Sequence, residues 1–188
     1  MSERRGWSKV ARRIRVPLGF VFAAWYFWLA KPNWANLAAG AIVAACGVWL
    51  RAAASGHVKK NEELAITGPY AYTRNPLYLG SIFIGIGFAI ASRSWWIFLG
   101  LAVLFAAIYV PVIRSEEEFL RTRFTSFEDY SRRVPRLVPR LWVKRDKQEN
   151  MAGSFSRDLY WKHREYNAAI GTAAMLAALV AKLMWVGT

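Results

Sequence analysis

Cysteine, histidine and acidic residues are scarce in this sequence, and the scarcity excludes several classes of protein. The 188 residues include one cysteine, Cys46, and two histidines, His57 and His163. A single cysteine cannot form an intrachain disulfide or a cysteine-based metal site, and neither histidine lies at a metal-ligand spacing. Motifs of nucleotide-binding loops, zinc proteases and serine hydrolases do not occur. We therefore expect no metal site and none of these chemistries.

Basic residues outnumber acidic residues by 26 to 12, which gives a formal net charge of +14. Such an excess is typical of nucleic-acid-binding proteins and also of the cytoplasmic loops of membrane proteins. The hydrophobic fraction is 55%, above the roughly 45–50% of soluble domains. We therefore predict an all-α, polytopic membrane protein that forms one membrane domain over residues 1–188 and does not bind nucleic acid.

Apolar segments predict about five transmembrane helices, near residues 16–31, 34–54, 77–92, 95–113 and 168–187. A span needs roughly 17–25 mostly apolar residues, so the first and third segments are short. Six basic residues precede the first span, four lie in residues 51–76 and 13 lie in residues 114–165, whereas the opposite side has three. By the positive-inside rule, the N-terminus and the polar segments face the cytoplasm from the inner or plasma membrane.

The pattern also indicates how the helices pack and where they end. Small residues recur in residues 40–47 and 80–87, which permits close helix approach at these segments. Apolar residues at helical spacing over residues 116–134 predict an amphipathic helix at the cytoplasmic interface. Pro111, just before it, predicts a kink. The chain thus divides into the first two spans (1–56), a core with spans three and four (57–140) and a linker with the last span (141–188).

Two polar motifs meet at the cytoplasmic end of the third and fourth spans. The string Gly68-Pro-Tyr-Ala-Tyr-Thr-Arg-Asn-Pro-Leu-Tyr-Leu-Gly80 precedes and enters the third span, and Glu116-Glu117 follows the fourth. The prolines of the first motif keep part of it non-helical. Backbone groups there are therefore available to a ligand. The carboxylates suit either a cationic ligand or a solvated helix start. The tyrosines suit either a ligand cleft or interfacial anchoring.

The order of these motifs resembles the isoprenylcysteine carboxyl methyltransferase family and its bacterial relatives. The resemblance runs from about residue 57 to 140 and is carried by His57-Val58, Gly68-Pro-Tyr70, Arg74-Asn-Pro-x-Tyr78-x-Gly80, Glu116-Glu117 and Val134-Pro135. It implies an integral membrane methyltransferase that uses S-adenosyl-L-methionine. The eukaryotic enzymes carry histidine at the position of Asn75, so any imidazole role is lost in this chain.

The resemblance also implies roles for individual residues. Glu116, with Glu117 beside it, would hold the amino or ribose part of the cofactor, and Arg114 would bind a substrate carboxylate. If the substrate were an amine, Glu117 would be the base. The residues implied to line the cofactor cleft are Lys60, Leu64, Ala65, Tyr70, Asn75, Pro76, Leu77, Tyr78, Glu116 and Glu117. Arg164, Glu165 and Asn167 are candidate lid groups at the start of the last span.

The favoured function is therefore methyl transfer to the carboxylate of a lipophilic small molecule or prenylated substrate, in contact with membrane lipids. Three alternatives stay open. The chain could methylate the amine of a phospholipid headgroup within the same superfamily. It could be a membrane reductase of the sterol type, which would use NADPH. It could also be a small basic membrane protein that binds anionic lipid without catalysis.

Overall fold

The computed structural model describes residue 17 and residues 19–59, 63–140 and 155–186. Within these ranges the regular structure is helical, without β-strands, in agreement with the predicted all-α class. A 3-10 turn covers Gly68–Ala71, and a π-helical turn over Phe105–Tyr109 joins α4 to α5. The α-helices are α1 (Gly19–Leu29), α2 (Trp34–Ser55), α3 (Pro76–Ser92), α4 (Trp95–Leu104), α5 (Val110–Arg123), α6 (Phe127–Arg133), α7 (Arg157–Lys162) and α8 (Tyr166–Val186).

Three helices are long and apolar enough to cross a membrane, and they indicate an integral membrane protein. They are Trp34–Ser55, the continuous helix Trp95–Arg123 and Tyr166–Trp185. The other two predicted spans correspond to shorter apolar helices, α1 and the 17-residue α3. Five membrane crossings and a cytoplasmic N-terminus therefore stay predictions. The predicted boundaries at residues 16 and 187 lie outside the described residues.

Helices α2 and α3 approach each other backbone to backbone where glycines meet. A Cβ atom added to Gly47 would lie 2.5 Å from the carbonyl oxygen of Gly80, and one added to Gly87 would lie 2.5 Å from that of Gly40. In lipid, helix association depends on such close packing because the surrounding chains are as apolar as the helices. The close helix approach that the small residues allow occurs between these two helices, and it fixes the start of α3 beside the end of α2.

The helix that begins at Trp95 widens before it reaches its polar part. The π-helical turn Phe105–Tyr109 lies directly before Val110 and Pro111, the first residues of α5. Proline has no N–H to donate to the carbonyl four residues earlier, and its ring crowds that carbonyl. A local π turn is one of the ways in which a helix accommodates such a defect. The irregularity that the structure shows lies in the turn before Pro111, and a kink at Pro111 itself stays a prediction.

The predicted interfacial helix over residues 116–134 is two helices, so that prediction was wrong. Helix α5 continues the fourth apolar segment to Arg123, and α6 begins at Phe127 after extended backbone at Phe124, with φ −126° and ψ 116°. The apolar spacing continues across the break, so periodicity alone does not reveal it. Tertiary packing decides the chain direction, because the break allows α6 to join a small apolar core of Leu64, Ile66, Leu120, Phe124, Phe127, Tyr130 and Val134.

Gly87→Ala tests the contact between α2 and α3. The added Cβ atom would lie 2.5 Å from the Gly40 carbonyl oxygen, so the helices must separate, and overpacking of this kind costs about 1–3 kcal/mol. We expect a lower thermal unfolding temperature in detergent. Gly85→Ala on the same helix is the matched control, since its Cβ atom would meet nothing nearer than Leu101 at 3.8 Å. Equal losses in the two variants would contradict the packing described.

Candidate functional site

A cleft of about 250 Å³ opens beside the first turn of α3 and the polar half of α5. Its walls are mainly apolar, with a few ionisable groups. Concave apolar sites with a small number of convergent polar groups are typical ligand sites. The lining residues are Val58, Lys59, Glu63, Leu64, Ala65, Tyr70, Arg74, Asn75, Pro76, Leu77, Tyr78, Glu116, Glu117, Phe119, Leu120, Phe127 and Tyr130.

The turn that precedes α3 is held by the segment that follows α6. The backbone N–H of Arg74 donates to the carbonyl of Pro135 at 2.9 Å, and the N–H of Arg140 donates to the carbonyl of Tyr72 at 3.1 Å. The hydroxyl of Thr73, which is 1% exposed, lies within hydrogen-bond distance of the carbonyls of Arg136 and Leu137. These bonds satisfy backbone groups that the prolines keep out of helices, and they fix the polar turn at one wall of the cleft.

Glu117 is buried and lies at the centre of an ionic cluster. Its side chain is 5% exposed, and Oε2 accepts hydrogen bonds from Nε and Nη2 of Arg136 at 3.0 and 2.7 Å. Its Oε1 accepts from Nδ2 of Asn75 at 3.2 Å and lies 3.5 Å from Nη1 of Arg74. The hydrogen bond to Glu117 raises the pKa of Arg136 above its ordinary value. Because bidentate charged pairs are directional, this carboxylate connects α5 to the turn before α3 and to the segment after α6.

Glu116, the adjacent residue, has a different environment. It is exposed, lines the cleft, and accepts a hydrogen bond from the Tyr78 hydroxyl at 3.0 Å. Consecutive residues of an α-helix point about 100° apart, so one carboxylate of the pair enters the protein while the other reaches solvent. Glu116 therefore retains acceptor capacity that a cationic or hydroxyl-bearing ligand can use.

Two buried tyrosines connect the 3-10 turn to α6. The Tyr130 hydroxyl donates to the backbone carbonyl of Tyr70 at 2.8 Å. Burial raises the pKa of both phenols above the ordinary value, so both stay protonated. The turn begins at Gly68 with φ +58°, where a Cβ atom would lie 2.6 Å from the His57 ring. Glycine is needed at that position for the backbone conformation and for the space.

Nine of the ten residues predicted to line the cofactor cleft do line this cleft: Leu64, Ala65, Tyr70, Asn75, Pro76, Leu77, Tyr78, Glu116 and Glu117. Lys60, the tenth, lies outside the described residues. Arg114 is exposed on α5 and is not part of the lining. That these residues bind a cofactor, and that Arg114 binds a substrate, stay predictions.

Among the predicted lid groups, Glu165 is held in place by hydrogen bonds to Arg51. Its Oε2 accepts hydrogen bonds from Nε and Nη2 of Arg51 at 3.0 and 2.7 Å. Nη1 of Arg51 donates to the Leu77 carbonyl at 3.2 Å and to the Ser81 hydroxyl at 2.6 Å. Arg51 thus links α2, the first turn of α3 and the start of α8. Arg164 and Asn167 are exposed.

Sequence reasoning did not assign Arg51, Arg74 or Arg136 to the site. Arg74 and Arg136 converge on Glu117 although 62 positions separate them. Each stands in a proline-flanked turn, and this local feature was available as a signal. Their convergence depends on tertiary pairing between the two turns, which no local pattern encodes.

An apolar groove of about 340 Å³ runs between α3 and α4 and continues to the π turn. Its lining is Ser81, Ile82, Gly85, Ile86, Ala89, Phe98, Leu101, Ala102, Leu104, Phe105 and Tyr109. The ring of Tyr109 packs edge-on against Tyr78, with centroids 5.5 Å apart, and Tyr78 lines the polar cleft. The groove at the level of the apolar helices therefore ends next to the cleft.

Residues 35–126 match the protein family described as phospholipid methyltransferase. The matched segment runs from the start of α2 to just beyond α5, so it contains the glycine-packed helix pair, the polar turn and both glutamates. Arg136 and α6 lie beyond it. The match points to a membrane methyltransferase and is compatible with the superfamily that the motif order resembles.

Two curated relatives are similar to part of the chain. The nickel-cobalt-cadmium resistance protein NccN of Alcaligenes xylosoxydans xylosoxydans is 41% identical over 104 residues, 54% of this chain and 48% of that protein. The cobalt-zinc-cadmium resistance protein CzcN of Cupriavidus metallidurans is 38% identical over 87 residues, 46% of this chain and 40% of that protein. The chain thus spans less than half the length of each relative. No solved structure matches the chain.

Glu117→Gln tests the central position of this carboxylate. The change leaves the guanidiniums of Arg74 and Arg136 without their counter-charge, and breaking a buried pair by removing one partner costs about 3 kcal/mol. We expect that loss in the free energy of unfolding, measured by denaturant titration in detergent. Glu128→Gln is the matched control, because Glu128 pairs with Arg121 in a bridge whose side chains are about half exposed, where the cost is about 1 kcal/mol or less. Similar losses would contradict the cluster's role.

Proposed function

We propose that this protein is an S-adenosyl-L-methionine-dependent membrane methyltransferase that acts on a lipophilic acceptor from the cytoplasmic side. The observation that carries the proposal is the cleft. Residues of the segment similar to phospholipid methyltransferases line it on several sides, and an apolar groove ends beside it. This arrangement suits a reaction between a water-soluble methyl donor and an acceptor that is dissolved in the membrane.

The donor groups of the cleft fit S-adenosyl-L-methionine, which supplies an electrophilic methyl group when bound. Glu116 and the hydroxyl of Tyr78 offer hydrogen-bond partners for amino or ribose groups. Apolar and aromatic side chains such as Leu64, Tyr70 and Phe119 provide surface for an adenine ring. The backbone at Asn75 is non-helical, with φ −128° and ψ 57°, and it places the Asn75 and Pro76 side of the cleft directly before α3.

In methyl transfer, the protein would orient the acceptor and exclude water. For some acceptors it would also accept a proton. Positioning of two reactants can contribute roughly 7–11 kcal/mol. A carboxylate acceptor is ionised at neutral pH and needs no base, whereas an ammonium must lose a proton first. Both oxygens of Glu117 are engaged by neighbouring side chains. We therefore assign the base in an amine reaction to Glu116, rather than to Glu117 as residue type suggested.

The acceptor is proposed to reach the cleft through the groove between α3 and α4. The groove is apolar along its length, and it ends at Tyr109, which contacts Tyr78. A lipid chain in the groove would bring its polar end to the side of the cleft where Glu116 lies. This geometry supports a lipid-chain acceptor more than a water-soluble one.

Two acceptor groups are supported by different observations. A lipid amine is favoured because Glu116 lies at the cleft and because the matched family is described as phospholipid methyltransferase. A lipid carboxylate, as in a prenylated substrate, is favoured by the order of the motifs. Arg114, its predicted counter-charge, lies on the exposed surface of α5 outside the lining of the cleft. We therefore place the amine first and the carboxylate second.

The cytoplasmic orientation is proposed from the distribution of basic residues, 13 of which lie in residues 114–165. A single cysteine at Thr122, exposed near the end of α5, would report it in a Cys46→Ala background. Impermeant thiol reagents should label it in inverted membrane vesicles. Labelling in intact cells would reverse the orientation.

The names of the two relatives refer to metal resistance, and this proposal does not extend that property to the present chain. Within the ranges that the structure describes, no three His, Cys, Asp or Glu side chains group as metal ligands. The proposal depends on the cleft, the groove and the family match, and none of these involves a metal ion.

The cofactor is tested by binding to the purified full chain. S-adenosyl-L-methionine should raise the thermal unfolding temperature, and NADPH should not. Glu116→Gln removes a charged acceptor worth about 1.5–3 kcal/mol, so calorimetry should show binding at least about tenfold weaker. Glu118→Gln, at an exposed position outside the cleft lining, should bind as the wild type does. Stabilisation by NADPH alone, or by neither ligand, would reject the proposed function.

The acceptor is tested by the stability of the transferred methyl group. With radiolabelled cofactor and membranes that contain phosphatidylethanolamine, we expect label on the lipid that mild base does not release as volatile methanol, because an N-methyl group is not hydrolysed. With a prenylcysteine acceptor, an ester would instead release volatile methanol. Base-labile label would replace the amine by the carboxylate while leaving the methyltransferase proposal intact.

A further inference from the structure

One guanidinium of the cleft carries a charge that its neighbours compensate only in part. Arg74 lies in the turn before α3, lines the cleft, and has a side chain that is 13% exposed. Its Nη1 is 3.5 Å from Glu117 Oε1, the longest ion-pair distance of the cluster. Its Nε is buried and has no hydrogen-bond partner among the residues that the structure describes. Buried polar groups without partners are rare and commonly mark a functional position.

The carboxylate of Glu117 is committed mainly to other groups. Arg136 binds its Oε2 twice, at 2.7 and 3.0 Å, and Asn75 binds its Oε1 at 3.2 Å. The cluster thus holds two guanidiniums and one carboxylate, which leaves one positive charge uncompensated. A largely desolvated cation gains most from an additional anionic partner. The cluster therefore favours an anion at the side of Arg74 that faces the cleft.

The other arginines near the cleft are less suited to this task. Arg136 is half exposed and forms its two hydrogen bonds with Glu117. Arg51 is bound to Glu165 and to the first turn of α3. Arg114 is exposed and is not part of the cleft lining. The guanidinium in the turn before α3 differs from all three, because it is both largely buried and part of the cleft.

We infer that Arg74 is the anion-binding group of the cleft, and that Glu117 and Arg136 are positioning residues that hold it. The ligand group is a carboxylate or phosphate, whose paired oxygens match the planar donors of a guanidinium. This inference rests on the proposed function and adds a subsite to it. The anion can come from the amino-acid end of the cofactor or from the polar end of the lipid acceptor, and the following experiments distinguish the two sources.

The first experiment measures cofactor binding by calorimetry with the purified full chain. The probes are S-adenosyl-L-methionine and its decarboxylated analogue, which lacks the carboxylate. If the cofactor supplies the anion, Arg74→Gln should weaken binding of the intact cofactor at least about tenfold, since hydrogen bonds to charged groups are strong. Binding of the decarboxylated analogue should stay within twofold. Arg121→Gln, which removes an exposed ion pair between Arg121 of α5 and Glu128 of α6, is the matched control and should change neither affinity.

The second experiment covers the lipid source. The probes are a short-chain phosphatidylethanolamine and a long-chain alkylamine, which has no phosphate, and their binding is followed by calorimetry. If the acceptor supplies the anion, Arg74→Gln should weaken binding of the phospholipid at least about tenfold and leave the alkylamine and both cofactor probes unchanged. Arg136→Gln should produce the same selectivity to a smaller degree, because it releases Glu117 to bind Arg74 more closely.

Arg74→Lys is the control for the possibility that Arg74→Gln fails to fold. It keeps the charge beside Glu117 but replaces the planar fork by a point charge, so it should fold while binding the anionic probe several-fold more weakly than the wild type. Equal weakening of anionic and neutral probes, or no change with any probe, would overturn the inference. A wild-type protein that binds no S-adenosyl-L-methionine but binds the phospholipid through Arg74 would reject the proposed function and support the anion site.

Discussion

Glu117 joins three parts of the chain that are distant in sequence, and the candidate site depends on this carboxylate. It stands on α5, and it binds Asn75 and Arg74 in the turn before α3 and Arg136 in the segment after α6. Backbone bonds between the two turns add to the same junction. Because the turns are rich in proline and cannot form helices, they need such external partners to keep one conformation. The cleft exists where this junction meets the start of α3.

The two adjacent carboxylates of α5 differ in role: one is part of the structure, and the other faces the cleft. Glu117 is buried with both oxygens engaged, while Glu116 is exposed at the cleft beside Tyr78. Both residues are glutamates, so the residue type alone does not distinguish their roles. Only the direction in which α5 presents each side chain separates them. On the proposed function, Glu117 stabilises the wall of the cleft while the adjacent Glu116 is available for proton transfer.

The parts of the molecule that follow from local sequence were predictable. The all-α class and the small residues that allow close approach of α2 and α3 are consequences of composition and spacing. The break between α5 and α6 was not predictable, because the apolar spacing continues through Phe124 and tertiary packing redirects the chain. The grouping of Arg74 with Arg136 likewise needed the pairing of two turns. Arg114 lies two residues before Glu116, yet its position on α5 leaves it exposed and outside the cleft lining.

On the proposed function, the membrane explains why the cleft lies next to an apolar groove. Cleft and groove meet at Tyr78 and Tyr109, one ring lining each. Inside the hydrocarbon region, non-helical backbone is tolerated only where protein encloses it or where it lines a water-filled cavity. On the proposed function, the turn before α3 meets this condition at the cytoplasmic edge of the membrane. An acceptor with a lipid chain can present its polar end at the same depth without leaving the membrane. The π turn before Pro111 widens the helix that forms one side of the groove just where it approaches the cleft. The proline that disturbs the helix thus stands at the junction where a soluble donor and a membrane-bound acceptor would have to meet.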